Sequence, residues 1–589
     1  MSNKIETKNC QNCKNPFTIE PDDFLFYEKM KVPPPTWCPE CRKQRRLSWR
    51  NDLSLYSRKC DLCNKNIISL YSPDGPMKSV YCQKCWWSDG WDPKSYAQEY
   101  DFSKSFFEQF AELQRRVPAL AMVNDNGIGS LNCEYTQDFA RSKNCYMVFI
   151  AWKLEECLYS VYLLDGKEIV DSLNSMGECE AIYETVYTEK CYRCRNVYYS
   201  VALSDCNFCW DCRDCSDCFL SVGIRHKRYC FKNKEYTKEE YNRILAEYRL
   251  DTHAGAERAM KELLSIFPLY PRKFSSLRNC VNCTGDALIN GKNSRDCFNV
   301  QRPEDCRWVE NSDTPKASYD LSVGGELDQC YEGITPDHSY RSRFSIFSWK
   351  NTEVSYVDGC HSSKDIFGCC GLKKAQYCVL NKQYSKEEYE ELISKIKKQM
   401  DEIPYIDSKG RTYKHGEFFP TELSYFAYNE TVAQDFFPIT QKQAEEEKIC
   451  WQEHFQVTTG KETISLDKLP ESISDVSDTI LNETLRCSLC ARNYRIVPSE
   501  LMFYRKMRIP IPHNCFHCRA GARFGLRNPF SLWHRQCQCS SQKSENGIYQ
   551  NTVKHQHREG KCPNEFETSY SPDRKEIVYC ESCYNAEVV

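Results

Sequence analysis

Residues 205–218 read DCNFCWDCRDCSDC, with five cysteines at every third position. Such spacing fits a metal cluster, a redox device, or a buried core in which cysteine acts as a small hydrophobe. A second copy of the segment helps to decide, because residues 192–240 align without a gap with residues 340–388. The five cysteines are Cys206, Cys209, Cys212, Cys215 and Cys218, and their counterparts are Val354, Val357, Cys360, Ser363 and Ile366.

Valine and isoleucine cannot bind a metal ion, but they can fill the space of a buried thiol. The duplication therefore favours a core role for the segment, and it leaves open an extra metal site gained by the first copy alone. A redox role is disfavoured, because the second copy lacks four of the five thiols.

The same region predicts stacked parallel strands. Short β-rich runs such as CYMVFIAW (145–152) and CLYSVYLL (157–164) recur between Asp-Cys and Asn-Cys turns. Cysteines also recur 21 or 22 residues apart, in the pairs Cys157 and Cys179, Cys191 and Cys212, and Cys194 and Cys215. A period near 20 without intervening helices is typical of a parallel β-solenoid. The alternative is two α+β domains, each closed by a helix.

Each copy ends in a predicted helix. Thr237 with Glu240, and Ser385 with Glu388, form capping boxes in front of apolar stripes at helical spacing. We expect these helices to cap the end or flank of the repeats. Another amphipathic helix is predicted over residues 102–113, and one more after Thr440.

Pairs of CxxC motifs occur at both ends of the chain. Two such motifs joined by a loop of 18 or 24 residues place four thiolates around a structural Zn²⁺ ion. Three sets follow this plan: Cys10, Cys13, Cys38 and Cys41; Cys60, Cys63, Cys82 and Cys85; and Cys487, Cys490, Cys515 and Cys518.

A fourth set follows from comparing the two ends. RNDLSLYSRKC (50–60) matches RNPFSLWHRQC (527–537), and YSPDGPMKSVYCQKC (71–85) matches YSPDRKEIVYCESC (570–583). The predicted ligands are Cys537, Cys562, Cys580 and Cys583, with an insertion between the first two. Cys539 is an alternative to Cys537, and His555 or His557 can compete as ligands. We therefore expect about four zinc ions.

The pattern C-x2-C … F-Y … P … C-x2-C-R at both ends resembles the zinc-ribbon domain of the Tbcl type. This resemblance implies that the first and third sets are zinc ligands. Nearly the whole chain is similar to a group of uncharacterised, cysteine-rich bacterial proteins with several zinc ribbons. Some of these carry the label CaiB/BaiF, a family of CoA-transferases, but no residues of this sequence support that chemistry.

Arginines follow the last cysteine of the first and third sets. They recur at i, i+4 and i+8, which on a helix gives one basic face. Together with Trp49, such faces suit phosphate oxygens and unstacked bases. The alternative is pairing with acids on the same ribbon, such as Asp22 and Asp23. The predicted nucleic-acid-binding residues are Arg42, Arg46, Arg50, Trp49, Arg519, Arg523 and Arg527.

Composition and motif content narrow the range of possible functions. The 589 residues carry 79 Lys+Arg and 82 Asp+Glu, so the chain as a whole has no electrostatic attraction for nucleic acid or anionic membranes. No apolar leader or membrane span is evident, and 39 cysteines without a secretory signal indicate metal ligands or buried thiols in the reducing cytoplasm. Gly-rich phosphate loops, HExxH and G-x-S-x-G are lacking, and a Cys360–His361 pair is only a remote catalytic candidate.

The sequence therefore predicts a mainly β protein with few helices, in which paired four-cysteine zinc ribbons flank a duplicated, solenoid-like middle. The expected function is non-enzymatic zinc binding with recognition of RNA or a ribonucleoprotein through the arginine faces. The alternative is a protein-interaction scaffold, and a remote alternative is an enzyme. The predicted segments are ribbons 1–90, connector 91–127, repeat 128–250, connector 251–275, repeat 276–400, aromatic segment and helix 401–451, linker 452–484, and ribbons 485–589.

Overall fold

The computed structural model describes residues 5–124, 130–167, 170, 172–176, 181–183, 185–188, 192–555, 557 and 560–588. Cys179 and Cys191, which contributed to the expected period near 20, lie outside these residues.

The chain forms two compact units, and each unit combines two distant stretches of sequence. Unit 1 comprises Met1–Asn126 and Leu277–Gln456, and unit 2 comprises Gly127–Ser276 and Val457–Val589. The N-terminal cysteine sets therefore fold with the second copy of the repeat, and the C-terminal sets fold with the first copy. Local sequence patterns do not reveal this arrangement, because they carry no information on which distant segments pack together.

Unit 1 contains a large parallel sheet, called here the second ladder, whose strands pair in chain order. Its parallel strands are Leu277–Arg278, Gly285–Ile289, Cys297–Gln301, Arg307–Lys316, Tyr319–Asp328, Tyr331–Ile334, Tyr340–Ile346, Thr352–Asp358, Lys364–Cys370 and Gln376–Val379. The short antiparallel strand Lys382–Gln383 closes it.

Unit 2 contains the first ladder, which is also parallel in its described strands. These strands are Leu131–Glu134, Gln137–Ala140, Lys143–Tyr146, Phe149–Glu155, Val161–Lys167, Ser172–Met176, Thr185–Thr188, Val197–Tyr198 and Cys209–Trp210. A separate parallel pair, Val201–Ser204 with Arg213–Ser216, belongs to the same region.

Left-handed backbone recurs at most third residues of both ladders and turns the chain at nearly regular intervals. In the opening segment, φ lies between 50° and 54° at Asp205, Phe208, Asp211, Asp214 and Asp217. Asp and Asn tolerate this conformation better than most side chains, which explains the frequent Asp-Cys and Asn-Cys dipeptides. Each cysteine of the segment thus directly follows a corner of the chain.

Most neighbouring strands are offset by 12 residues, and two pairs are offset by 11 and 13, so the expected period near 20 is wrong. Thr352 pairs with Lys364 and Val197 pairs with Cys209, for example. With a corner at every third residue, 12 residues make four short sides. The spacing of 21 residues between some cysteines spans seven such sides, and therefore reflects the three-residue side length and not a complete turn.

The core role predicted for residues 205–218 is confirmed. Their five cysteines are at most 3% exposed, and the five counterparts in the second copy are at most 2% exposed. The Sγ atom of Cys209 lies 3.5 Å from the carbonyl oxygens of Asn207 and Cys218, so the thiol can act as a weak donor to the neighbouring strand. Burial raises the pKa of the Cys209 thiol well above its usual value. Cysteine thus combines small volume with a weak polar contact.

The prediction of a mainly β fold with few helices is only partly confirmed, because the described residues also contain twelve α-helices. These are Pro21–Lys29, Pro39–Leu47, Gln83–Trp87, Phe106–Arg116, Lys238–Tyr248, His253–Ile266, Lys386–Glu402, Val432–Phe436, Gln441–Glu446, Pro498–Met507, Phe516–Leu526 and Glu581–Val588. The predicted capping boxes begin the helices Lys238–Tyr248 and Lys386–Glu402. The helix expected over 102–113 begins later, at Phe106, because Ser105 and Glu108 form its capping box.

Residues 452–484 do not form a free linker. From Val457 onward they belong to unit 2, and the side chains of Ile473, Val476 and Ile480 are buried there. Backbone contacts hold the segment, since the Ile473 amide donates to the Asp251 carbonyl at 3.1 Å. The aromatic segment before it packs into the core of unit 1, as expected from its hydrophobicity. Within the described part of the chain, none of the helices has the length and apolar character needed to cross a bilayer.

Candidate metal centres

Four groups of four cysteines bring their Sγ atoms within 4.8 Å of one another. They are site 1 (Cys10, Cys13, Cys38, Cys41), site 2 (Cys60, Cys63, Cys82, Cys85), site 3 (Cys487, Cys490, Cys515, Cys518) and site 4 (Cys537, Cys562, Cys580, Cys583). These are the four sets predicted from sequence. Each can hold one metal ion.

Each site combines a β-hairpin with the start of a helix. The hairpins are Glu6–Asn9 with Pro16–Ile19, Tyr56–Lys59 with Asn66–Ser69, Leu485–Arg486 with Asn493–Tyr494, and Trp533–Gln536 with Glu565–Thr568. The third ligand of sites 1, 2 and 3 is the N-cap residue of the helix that follows it. A helix N-terminus favours the thiolate form of cysteine, which is the form that binds metal.

A tight turn shapes the hairpin end of every site. The residue four positions after the first ligand has left-handed backbone, with φ between 58° and 69°, at Lys14, Asn64, Ala491 and Ser541. In site 4 the turn is kept, but Ser540 stands where the second cysteine of a CxxC motif would be. Cys562, from beyond the insertion, supplies the missing ligand atom.

Distances between the thiols fit tetrahedral coordination. With Zn–S bonds of about 2.3 Å, two thiolates on one Zn²⁺ ion lie roughly 3.8 Å apart. The two halves of each ligand set approach to 3.6–3.9 Å, in the Sγ pairs Cys13 and Cys38, Cys63 and Cys82, Cys490 and Cys515, and Cys562 and Cys583. The donor set is therefore suited to zinc in both chemistry and spacing.

Backbone amides favour the thiolate form at the first ligands of sites 2 and 3. Burial opposes ionisation of Cys487, but amides of Cys490 and Cys515 donate to its sulfur and lower its pKa to about 6. The same balance lowers the pKa of Cys60 to about 7, with amides of Cys82 and Cys63 as donors. Thiolates at these two positions are thus accessible near neutral pH.

A second ligand group adjoins site 4 and shares one of its cysteines. Cys539, His555, His557 and Cys583 bring one ligand atom each within 4.8 Å of the others. The Cys539 sulfur lies 3.1 Å from Nδ1 of His555 and 3.3 Å from Nε2 of His557. The sequence had offered these residues as replacements for ligands of site 4, but the structure places them in a group of their own.

Site 1 positions the helix Pro39–Leu47, called here the arginine helix. Its side chains Arg42 and Arg46 are 0% exposed, so the expectation that they form a solvent-facing basic surface is wrong. Arg42 pairs with Asp320 at 2.9 Å (Nη2 to Oδ2), and Arg46 pairs with the same carboxylate at 2.9 Å (Nη1 to Oδ1). Arg42 also lies over the ring of Trp308, at 4.6 Å.

Two neighbouring arginines, Arg45 and Arg50, are buried in the same way. Arg45 bridges Glu332 and Glu417, at 2.8 Å each. Arg50, just beyond the helix, contacts Asp52 at 2.8 Å and donates to Thr335 at 2.6 Å. These arginines neutralise acids within unit 1.

Trp49 is equally unavailable for stacking on a base. It is 1% exposed, and its ring packs against Phe419 at 5.5 Å and against Tyr425 at 5.4 Å. The indole therefore belongs to the core of unit 1.

The arginines after site 3 are also buried against their own unit, but less completely than those after site 1. Arg519 is 8% exposed and Arg523 is 2% exposed, whereas Arg527 is half-buried beside Phe524. Arg519 lies 3.6 Å from the carboxylate of Glu500 and over the ring of Tyr159 at 5.1 Å. The helix Phe516–Leu526 thus packs within unit 2 through Arg519 and Arg523.

Sequence reasoning missed the acidic partners. It considered Asp22 and Asp23 for the arginines, but Asp23 pairs with Arg307 at 2.6 Å. The actual partners Asp320 and Glu332 are corner residues of the second ladder, 12 residues apart. Their spacing would have been a usable signal, because two acids at the same corner of successive turns form one line of negative charge.

The side chains of Cys360 and His361 make separate contacts. The Cys360 thiol is directed into the interior, 3.3 Å from the carbonyl oxygen of Cys369. The ring of His361 instead packs against Trp349 in a tilted arrangement, with 3.8 Å between ring centroids.

No protein-family model matches this chain, and no curated protein matches it in sequence.

Proposed function

We propose that this protein is a non-enzymatic zinc-binding scaffold, in which sites 1 to 4 each hold a structural Zn²⁺ ion. The observation that carries the proposal is the closed donor set of each site, with four cysteine sulfurs within 4.8 Å of one another. Four thiolates complete tetrahedral coordination and leave no position for a reactive water. A reducing compartment such as the cytoplasm keeps such thiols available for metal.

The ions would stabilise more than the ribbons themselves. Cys38 is the N-cap residue of the arginine helix and Cys41 lies in its first turn, so a metal at site 1 fixes the position of this helix. The helix in turn supplies the charge that neutralises Asp320 and Glu332 in the second ladder. We infer that metal binding and the stability of unit 1 are coupled through these ion pairs.

The ladders are best interpreted as short solenoids that give the scaffold its rigidity. For the partner we favour a protein, since the arginines once assigned to RNA contact acids within their own units. Leu25 and Met502 occupy equivalent positions in the two ends of the chain and are 49% and 65% exposed. An apolar side chain exposed at the same place in both suits contact with a protein surface.

Elemental analysis of the purified full chain tests the metal assignment. We expect at least four zinc ions per chain, and a result of one or none would refute the proposal. The partner is tested separately by a double variant, Leu25→Asp with Met502→Asp, and by Val281→Asp as a control on the exposed surface of the second ladder. If the partner is a protein, it should co-purify in stoichiometric amount with wild type and with the control variant, but not with the double variant. If wild type and both variants instead yield equal amounts of crosslinked RNA, and nuclease removes this signal, the RNA alternative is favoured.

A further inference from the structure

Six side chains of the C-terminal ribbon converge on a seventh, Cys583. We propose that they form a two-metal centre, in which the Cys583 thiolate bridges one Zn²⁺ ion in site 4 and a second ion held by Cys539, His555 and His557. The proposal rests on the zinc assigned to site 4 above, and it raises the expected total from four ions to five.

Each of the two ligand groups has four ligand atoms when the shared Cys583 sulfur is counted in both. Cys537, Cys562 and Cys580 join Cys583 in site 4, and Cys539, His555 and His557 join it in the second group. Each group places its four ligand atoms within 4.8 Å of one another, as two adjoining tetrahedral centres require.

A bridging thiolate also improves the charge balance. Four thiolates around a single Zn²⁺ ion leave a net charge of −2. Five thiolates and two neutral imidazoles around two Zn²⁺ ions leave a net charge of −1. The ligand cysteines are buried, and buried net charge is costly, so the second ion offsets part of that cost.

The outer contacts of His555 are those of a metal ligand. Its Nδ1 atom faces Cys539, while its Nε2 atom lies 2.6 Å from the Glu587 carboxylate. Metal-binding histidines typically donate their second N–H to a carboxylate, which fixes the ring orientation. The imidazole is 1% exposed, and the Glu587 carboxylate is 0% exposed.

Glu587 is itself held in place. It accepts hydrogen bonds from the amide of Thr552 at 2.8 Å, from the Thr552 hydroxyl at 2.9 Å and from the Tyr549 hydroxyl at 3.0 Å. Glu587 and Cys583 belong to one helix, Glu581–Val588, so the bridging ligand and the outer carboxylate move as one body. Asn551 donates to the Cys539 sulfur at 3.3 Å and orients the other end of the group.

The insertion in the fourth ribbon supplies the extra histidine ligands. Two residues separate Cys60 from Cys63 in site 2, but 24 residues separate Cys537 from Cys562 in site 4. His555 and His557 come from this insertion, and Cys539 lies in the turn just before it. Site 2 has no such segment, which explains why the structure brings histidines only to site 4 among the four described tetrads.

Zinc stoichiometry, measured by native mass spectrometry of the full chain, tests the proposal. Wild type should bind five ions, and the double variant His555→Ala with His557→Ala should bind four. His534→Ala should keep five, because His534 is an exposed histidine of the same ribbon that pairs with Glu565 and Glu567 outside the ligand groups. Four ions in wild type, unchanged in the double variant, would overturn the second site and leave the four all-cysteine sites intact. One ion or none would refute both proposals.

The bridge is tested on wild-type protein, so the result does not depend on the folding of a variant. An anomalous difference map at the zinc edge, from crystals of the full chain, should show two peaks that share Cys583. A single peak, within either group, would overturn the bridged centre.

Discussion

Arg42 and Asp320 are 278 residues apart in sequence, and they form a buried ion pair with two contacts. Nη2 of Arg42 lies 2.9 Å from Oδ2 of Asp320, and Nε donates to the same oxygen at 3.0 Å. Both side chains are 0% exposed. The pair connects the arginine helix to the second ladder. The helix face that was predicted to bind a partner therefore makes a contact inside unit 1.

Removing the carboxylate of this pair should destabilise unit 1 strongly. In Asp320→Ala, Arg42 and Arg46 both lose a buried partner, and breaking a buried pair costs about 3–5 kcal/mol. We expect faster hydrogen exchange in strands of the second ladder and a lower urea midpoint for unit 1.

The matched control is Asp313→Ala in the same ladder. Asp313 pairs with Arg302 at 2.6 Å, but the arginine side chain is 50% exposed, so the loss should stay below about 1 kcal/mol. Equal losses in the two variants would show that the buried pair does not stabilise the helix–ladder contact.

The two kinds of cysteine should respond differently to substitution. Cys209→Val reproduces the residue present at Val357, and a swap of similar volume in a core costs less than about 1.5 kcal/mol. Cys38→Ser removes a ligand of site 1, and the protein should lose one zinc ion together with the stability of the arginine helix. Zinc content and thermal melting of both variants check this. Zinc loss in Cys209→Val would mean that the core thiols bind metal.

The duplication and the CxxC spacing predicted the metal sites and the core role of residues 205–218, because both depend on local sequence. The 12-residue offset was missed, since a three-residue side length also produces cysteine spacings of 21. The fate of Arg42 and Arg46 could not be predicted from spacing. A basic helical face looks the same in sequence whether it meets solvent or a line of acids such as Asp320 and Glu332.

Chelation of zinc should destabilise the second ladder as well as the ribbons. In the structure, site 1 fixes the helix whose arginines neutralise Asp320 and Glu332, so the loss of metal exposes or unpairs these buried charges.

Hydrogen exchange of strands Tyr319–Asp328 and Tyr331–Ile334, with and without a zinc chelator, measures this coupling. We expect faster exchange after chelation. A magnesium-selective chelator serves as the control, because cysteine sites do not bind Mg²⁺. Unchanged protection of these strands after complete zinc removal would contradict the coupling.

A buried carboxyl group should make unit 1 less stable as the pH rises. Burial raises the pKa of Asp358 to about 7, although Gln114 donates to the carboxylate at 2.6 Å. Neighbouring groups with raised pKa values stay neutral in this range: Tyr71, Tyr425, Cys360 and Cys370. In the unfolded chain Asp358 ionises near pH ~4. Between about pH 4 and 7 the folded state therefore binds more protons than the unfolded state, and stability is lost as the pH rises through 7.

Asp358→Asn should remove this pH dependence, because asparagine keeps the shape and the acceptor for Gln114 without a charge. We expect the variant to be more stable than wild type by about 1 kcal/mol at pH 5 and by on the order of 4 kcal/mol at pH 8. Urea unfolding at both pH values, followed by tryptophan fluorescence, provides the measurement. As a control, Asp365→Asn changes a half-buried carboxylate on the neighbouring strand and should leave the pH profile unchanged. If Asp358→Asn kept the wild-type slope between pH 5 and 8, Asp358 would not be the titrating group.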